Sequence, residues 1–193
     1  MGSYTTRTVT TEEYKTLSQT IRNGYEEIDG TEHRPNPQVA TILVAESNLG
    51  CRLSDVIKLR TDSIKQEESG RYVLDIVEQK TGKRRTFVVP RKVKEFLDSY
   101  AESKEIYNGN IFTITEQAVW KAVRQATAYL GMENVSTHSM RKRAALNLYE
   151  KSGYDIALVS QFLQHADTKT TQTYLRRNTQ QMEQAIEGMV DLV

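Results

Sequence analysis

The sequence predicts a mainly α-helical domain that carries one small antiparallel β-hairpin or sheet. Three observations predict it. Apolar residues recur at helical spacing in segment after segment from Thr10 onward. Only residues 71–77 and 85–89 are rich in β-branched and aromatic side chains, with Thr81-Gly82 as turn chemistry between them. The 193 residues, 38% hydrophobic and 26% charged, suit one large domain or one domain with a short appendage, with enough core to need no disulfide.

Taken in order, Thr10 caps a first helix with Glu12 and Glu13 in its first turn, Tyr14, Leu17 and Ile21 on one face, and Gly24 as its stop. Residues 25–37, with Asp29-Gly30 and two prolines, read as a loop, and His33 within it is expected to face solvent with no role. Pro37 opens a second helix with Val39, Ile42 and Leu43 inward, and Gly50 closes it. Arg52 follows at once, then a short amphipathic helix of Leu53, Val56, Ile57 and Leu59; residues 62–64 offer a first short strand before the hairpin. Pro90 starts a helix with Val93, Phe96, Leu97 and Tyr100, and a turn over 107–110 leads to Ile111-Phe112, expected on the core. Thr115 caps a helix with Val119, Trp120, Val123, Ala126 and Leu130 that ends at Gly131; Trp120 reads as core or groove wall ahead of a base-stacking platform. Ser136 or Thr137 caps a helix over 138–151, and Asp155 caps the next, with Ile156, Val159, Phe162 and Leu163 apolar. A last helix carries Tyr174, and the tail places Met182, Ala185, Ile186, Met189 and Val190 on one face, to close the chain's own core or to dock on a neighbour.

Composition narrows the function. A single cysteine, Cys51, gives neither an intramolecular disulfide nor a zinc cluster, and suits a reducing cytoplasm. No apolar stretch approaches the roughly 20 residues of a membrane span, and residues 1–9, an arm or expression remnant, hold no hydrophobic signal core. Net charge is +1, from 26 basic and 25 acidic side chains, so bulk charge does not hold this chain on nucleic acid. The basic residues instead cluster: Lys80, Lys83, Arg84, Arg85, Arg91, Lys92 and Lys94, then Arg141, Lys142 and Arg143, then Arg176 and Arg177. Runs of this kind are also ordinary solvated faces.

Residues 137–174 concentrate the chemistry. His138 and Arg141 stand three apart, on one helix face. His165 follows an apolar run, and Tyr174 comes nine residues later. An arginine offers a permanent forked charge to phosphate oxygens, a histidine moves a proton near neutral pH, and a tyrosine can form a covalent intermediate. Together they point to a phosphodiester.

Here the sequence resembles the tyrosine recombinase (phage integrase) family over almost the whole chain. Its pattern is a first arginine, a hairpin lysine, His-x-x-Arg, a His or Trp after Leu-Gly, and a tyrosine nine residues on. The family's Gly-Leu-Arg-x-Ser-Glu is written here Gly50-Cys51-Arg52-Leu53-Ser54-Asp55, Lys-Thr-Gly-Lys puts Lys80 on the hairpin with Lys83 as its alternative, and His138, Arg141, His165 and Tyr174 follow. Asp55 stands where an acid usually supports the site; an arginine like Arg52 can also simply pair with Asp55 or Asp62. The chain departs from the family at Leu163-Gln164-His165, where the glycine is lost, and at Arg143, where a small hydroxyl residue is commoner.

The resemblance implies the recombinase catalytic-domain fold of DNA breaking-rejoining enzymes over residues 10–178, with 179–193 as a helical tail. It implies an integrase that works through a 3′-phosphotyrosyl link with no cofactor, metal or ATP. Arg52 and Arg141 would clamp the phosphate, His165 add a hydrogen bond, His138 take the Tyr174 proton and Lys80 serve as acid. The partner implied is double-stranded DNA, bound by a tetramer of protomers, with Lys83, Arg84, Gln117, Lys121, Arg124, Gln125, Lys142 and Arg143 as candidate contacts. Most family members carry an N-terminal helical clamp, so the expectation is a catalytic-domain fragment or a compact recombinase of the fimbrial-switch type. The rival readings are a non-catalytic recombinase-like regulator, a type IB topoisomerase-like relaxing enzyme and, least of all, a protein-interaction helical domain.

Overall fold

The computed structural model describes residues 6–80, 82–163 and 171–172. The chain forms two units, Met1–Ala144 and Ala145–Val193. The first opens with α1 (Thr11–Asn23), capped as a box: Thr10 accepts from the Glu13 amide while Glu13 accepts from the Thr10 amide. The forked guanidinium of Arg7 also grips Glu13, at 2.8 and 2.5 Å, and holds its carboxyl down at about 2. Leu17 and Ile21 are buried, as their spacing requires.

Residues 25–37 are not a plain loop. Tyr25–Glu26 (β1) and Glu32–His33 (β2) pair antiparallel around the Asp29-Gly30 turn. The His33 ring stacks on Tyr25 at 4.3 Å and its Nε2 lies 2.7 Å from Glu27 Oε1, so His33 is held within the chain rather than facing solvent freely. Strands of two residues are too short for an alternating pattern to announce them.

Helix α2 (Pro37–Leu49) is the centre of this unit. Asn36 caps it by accepting from the Val39 amide, and Pro37 fills a position whose N–H has no helical partner. The sequence predicts one inward face, whereas Val39, Ala40, Ile42, Leu43, Ala45 and Leu49 are all fully buried. Helices pack on more than one side of it, so nearly its whole circumference is covered. Gly50, at φ +57°, turns the chain left-handed at its C-terminus, a geometry that costs a side chain but not glycine.

After the short α3 (Leu53–Val56) comes a three-stranded antiparallel sheet in the order β3 (Ile64–Gln66), β4 (Tyr72–Val77), β5 (Arg84–Val89). The first strand begins at Ile64, the last residue of the 62–64 segment that the sequence offers. In β5, Arg85 and Val89 are buried and Phe87 half-buried, so the period of two sets one face inward. Helix α4 (Arg91–Ser103) buries Val93, Leu97 and Ala101. Helix α5 (Glu116–Tyr129), capped by Thr115 on the Ala118 amide, buries Val119, Val123 and Ala126. Helix α6 (Thr137–Lys151) starts with Ser139 accepting from the Ser136 amide at 3.1 Å, and Met140 and Arg141 are buried.

In the second unit Ala145, Val159 and Leu163 form a small core with Leu148, Tyr149 and Phe162. Helix α7 (Ile156–Leu163) is capped by Asp155, whose Oδ1 accepts from the amides of Ala157 at 2.8 Å and Leu158 at 2.9 Å. Among the described residues no helix is long and apolar enough to cross a membrane. The predicted His165 and Tyr174, Arg176 and Arg177, and the apolar face of the tail lie outside the described residues.

Candidate active site

One cavity of about 720 Å³ in the first unit gathers four of the predicted residues: Arg52 from the turn after α2, Lys80 from the hairpin, and His138 and Arg141 from the first turns of α6. Trp120 and Arg124 of α5 form another wall, with Glu116 at the start of that helix. Trp120 is 50% exposed and is therefore groove wall, not core. Ser136 and the first residues of α6 also line the cavity, where a helix N-terminus favours anions.

The two arginines are held differently. Arg141 is 1% exposed and donates from Nη1 to the Gly50 carbonyl at 2.6 Å. That carbonyl ends α2, where backbone acceptors lack helical partners and positive charge is favourable. Arg52 extends to Glu78, Nη1 to Oε2 at 2.5 Å, with the Glu78 carboxyl fully buried. Its partner is thus neither Asp55 nor Asp62; Asp62 pairs with Arg60 at 3.0 Å. Asp55 takes another part: its Oδ1 accepts from the Gln79 amide at 2.9 Å, one residue before Lys80. Both contacts tie the residues just after β4 to the segment that carries Arg52 and Asp55, so the position of Lys80 depends on both acids.

A third arginine was absent from the predicted site. Arg85 is 1% exposed; its Nη2 donates to the Leu49 carbonyl at 3.0 Å and its Nη1 approaches the Gly50 carbonyl and Cys51 Sγ, each at 3.3 Å. Its guanidinium lies 4.3 Å from the Phe87 ring centroid. Arg85 and Arg141 therefore meet at Gly50, two residues before Arg52. The signal was available: Arg85 shares the inward register of Phe87 and Val89. Glu46, also missed, lies one turn after Ile42 on a helix otherwise apolar there, and it lines the cavity at 1% exposure. Burial pushes its carboxyl well above the usual range, against the opposing pull of Arg141 and with a push from Glu116. Burial also raises the Cys51 thiol to about 11, which makes it a packing residue and not a nucleophile.

Of the candidate nucleic-acid contacts, Arg124 lines the cavity and Lys121 is exposed on the same helix. Lys83 and Arg84 are exposed near the hairpin turn, where Arg84 pairs with Asp75 across the strands. Lys142 donates to the Thr6 carbonyl. Arg143 is turned into the chain: it lies 4.2 Å from the Tyr14 ring centroid and donates to Ser47 Oγ at 2.8 Å. The residue that departs from the family's small hydroxyl here joins α6 to α1 and α2.

Known proteins share this architecture. The model of the phage integrase family matches residues 7–181. Tyrosine recombinase XerA of Pyrococcus horikoshii is 25% identical over 155 residues, 76% of this chain and 53% of that protein. Among solved structures, the catalytic domain of bacteriophage HP1 integrase superposes with a TM-score of 0.63 at 19% identity, covering 94% of each chain. The XerH site-specific recombinase bound to a palindromic difH substrate, a post-cleavage complex, gives 0.67 at 22% identity, covering 93% of this chain and 52% of that one. The chain spans about half the length of the XerA relative it matches. The fold is that of tyrosine recombinase catalytic domains. The chain belongs to the phage integrase family.

Proposed function

We propose that this chain is the catalytic part of a site-specific recombinase that cleaves and rejoins double-stranded DNA through a covalent 3′-phosphotyrosyl link. The observation that carries the reading is the convergence of Arg52, Lys80, His138 and Arg141, from three separate segments, on one cavity. Arg52 and Arg141 hold the non-bridging oxygens of the scissile phosphate and offset the charge that grows as phosphorus becomes five-coordinate. The Tyr174 hydroxyl attacks phosphorus and passes its proton to His138, while His165 adds a hydrogen bond to the phosphate. The 5′-oxygen leaves with a proton from Lys80. A 5′-hydroxyl of a second strand then attacks the phosphotyrosyl bond and restores both the tyrosine and a phosphodiester. One phosphoester bond forms as another breaks, so rejoining draws on the energy of the link itself.

Exchange between two duplexes requires four such sites, which suits a tetramer on DNA in the cytoplasm, with the tail of residues 179–193 closing its own core or docking on a neighbour. Family membership favours recombination over a relaxing enzyme. That Arg52, Lys80, His138 and Arg141 share one cavity favours catalysis over a regulator kept only for binding.

The test uses supercoiled plasmid carrying the gene's native flanking DNA, in low salt with EDTA, stopped with SDS. DNA-linked protein is expected from the native chain and is expected to vanish in Tyr174→Phe. Binding with no adduct would sink the catalytic reading.

The Asp55 contact supplies a second expectation. Asp55→Ala should release the Gln79 amide, displace Lys80 and slow adduct formation by about tenfold to a hundredfold, within the range of general-acid catalysis, with duplex affinity nearly unchanged. A substrate with a 5′-bridging sulfur, whose thiolate leaves without an acid, should recover most of the rate. Equal loss on both substrates would mean that Asp55 does not act through Lys80.

A further inference from the structure

Glu46 stands in the last turn of α2, in the wall of the cavity, and the chemistry above makes no use of it. It is 1% exposed, and its Oε2 has no hydrogen-bond partner among the described residues. The cation that acts on it, Arg141, gives Nη1 to the Gly50 carbonyl. A buried oxygen without a donor is a costly place for negative charge. It is costlier still when the cavity takes up a phosphodiester, a second anion among the same groups.

We propose that Glu46 is an acid of the phosphate pocket: the cavity takes a phosphodiester with the Glu46 carboxyl protonated, as a neutral hydrogen-bonding group beside Arg141. This rests on the recombinase reading for the identity of the phosphodiester.

The charged groups around it come from each wall of the cavity: Arg52 after α2, Lys80 on the hairpin, Glu116 and Arg124 on α5, His138 and Arg141 on α6. Burial and Glu116 favour the acid form and Arg141 opposes them, and the net effect holds the carboxyl well above the usual range. By linkage, an anion that binds better beside the acid form raises proton affinity in return. DNA binding at a pH above the raised value then takes up a proton at Glu46.

Glu46→Gln tests this, because glutamine has the shape of the acid form and cannot lose its proton. The single-turnover adduct rate of the variant, divided by that of the native chain, cancels the titrations of His138, Lys80 and Tyr174, which both proteins share. The ratio is expected near one at acid pH and to climb, up to about tenfold per pH unit, once Glu46 loses its proton. A ratio below one throughout would show that Glu46 serves as a carboxylate counter-charge to Arg141. A ratio of one throughout would show that its proton is irrelevant. Either overturns the proposal.

Calorimetry of duplex DNA binding at a pH above the raised value, in two buffers of different ionisation enthalpy, gives a readout that needs no cleavage. The native chain should take up about one proton more than Glu46→Gln; equal uptake refutes the proposal. If the native chain forms no adduct, the recombinase reading fails by itself and the proton count still decides the role of Glu46.

Thermal unfolding adds the sign. A carboxyl raised in the folded state binds more protons there, so native stability falls as pH rises from the ordinary carboxylate range through the raised value. Glu46→Gln is therefore expected to melt higher than the native chain at neutral pH, with the gap closing in acid; a lower melting point at neutral pH also overturns the proposal.

Discussion

Arg141→Ala is expected to lower the rate of covalent adduct formation by about a thousandfold or more, the scale seen when a guanidinium or a strong oxyanion donor is removed from a transition state. The reason is geometric as well as electrostatic. Arg141 is buried in the cavity wall and anchored by Nη1 on the Gly50 carbonyl, so the plane of its fork is set before any phosphate arrives. A preorganised donor costs no rearrangement when charge develops on the phosphoryl oxygens. Arg141→Lys should restore little, because an ammonium keeps the charge without the fork and cannot serve the carbonyl and a phosphate in the same fixed plane. Single-turnover trapping of the protein–DNA adduct, with duplex binding measured beside it, checks both variants. Binding should weaken far less than cleavage slows. A lysine variant within about threefold of native would show that charge alone is needed and that the anchored plane is irrelevant.

Arg85→Met is expected to destabilise the chain by about 3 kcal/mol, the upper end of the usual cost of leaving a buried acceptor unserved. Methionine fills much of the arginine's volume, which separates loss of hydrogen bonds from loss of packing. The Leu49 carbonyl loses its Arg85 donor, while Gly50 keeps Arg141. The contact with Phe87 loses its cationic component as well. Urea unfolding of the native and variant chains gives the difference directly. A cost below about 1 kcal/mol would mean that water or a shifted side chain replaces the guanidinium. Because Arg85 holds the turn two residues before Arg52, the same variant should also slow cleavage even where it is fully folded.

These two arginines mark the boundary of what could be read from the chain. Arg141 was legible because His138 and Arg141 lie on one helical face at a fixed local spacing, and a helix enforces that relation wherever it is placed. The same holds for the helix starts at Thr10, Thr115 and Asp155, and for the hairpin about Thr81-Gly82, all signals that act over a few residues. Composition places Arg85 only in a basic cluster, whereas its inward register in β5 separates it from exposed Arg84.

Sequence alone determined the helical class and the hairpin, and with the family resemblance it singled out Arg52, Lys80, His138 and Arg141, which line one cavity. Tertiary structure decided what three of them lean on: Glu78 for Arg52, Gly50 for Arg141, Asp55 for the Gln79 amide before Lys80. It also turned Arg143 inward onto Tyr14, covered α2 nearly all round and left Glu46 buried in the cavity wall. The division follows from physics. Spacing along the chain fixes which side chains share a face, whereas a buried charge finds its partner only when packing brings distant segments together and removes the water that would otherwise have served it.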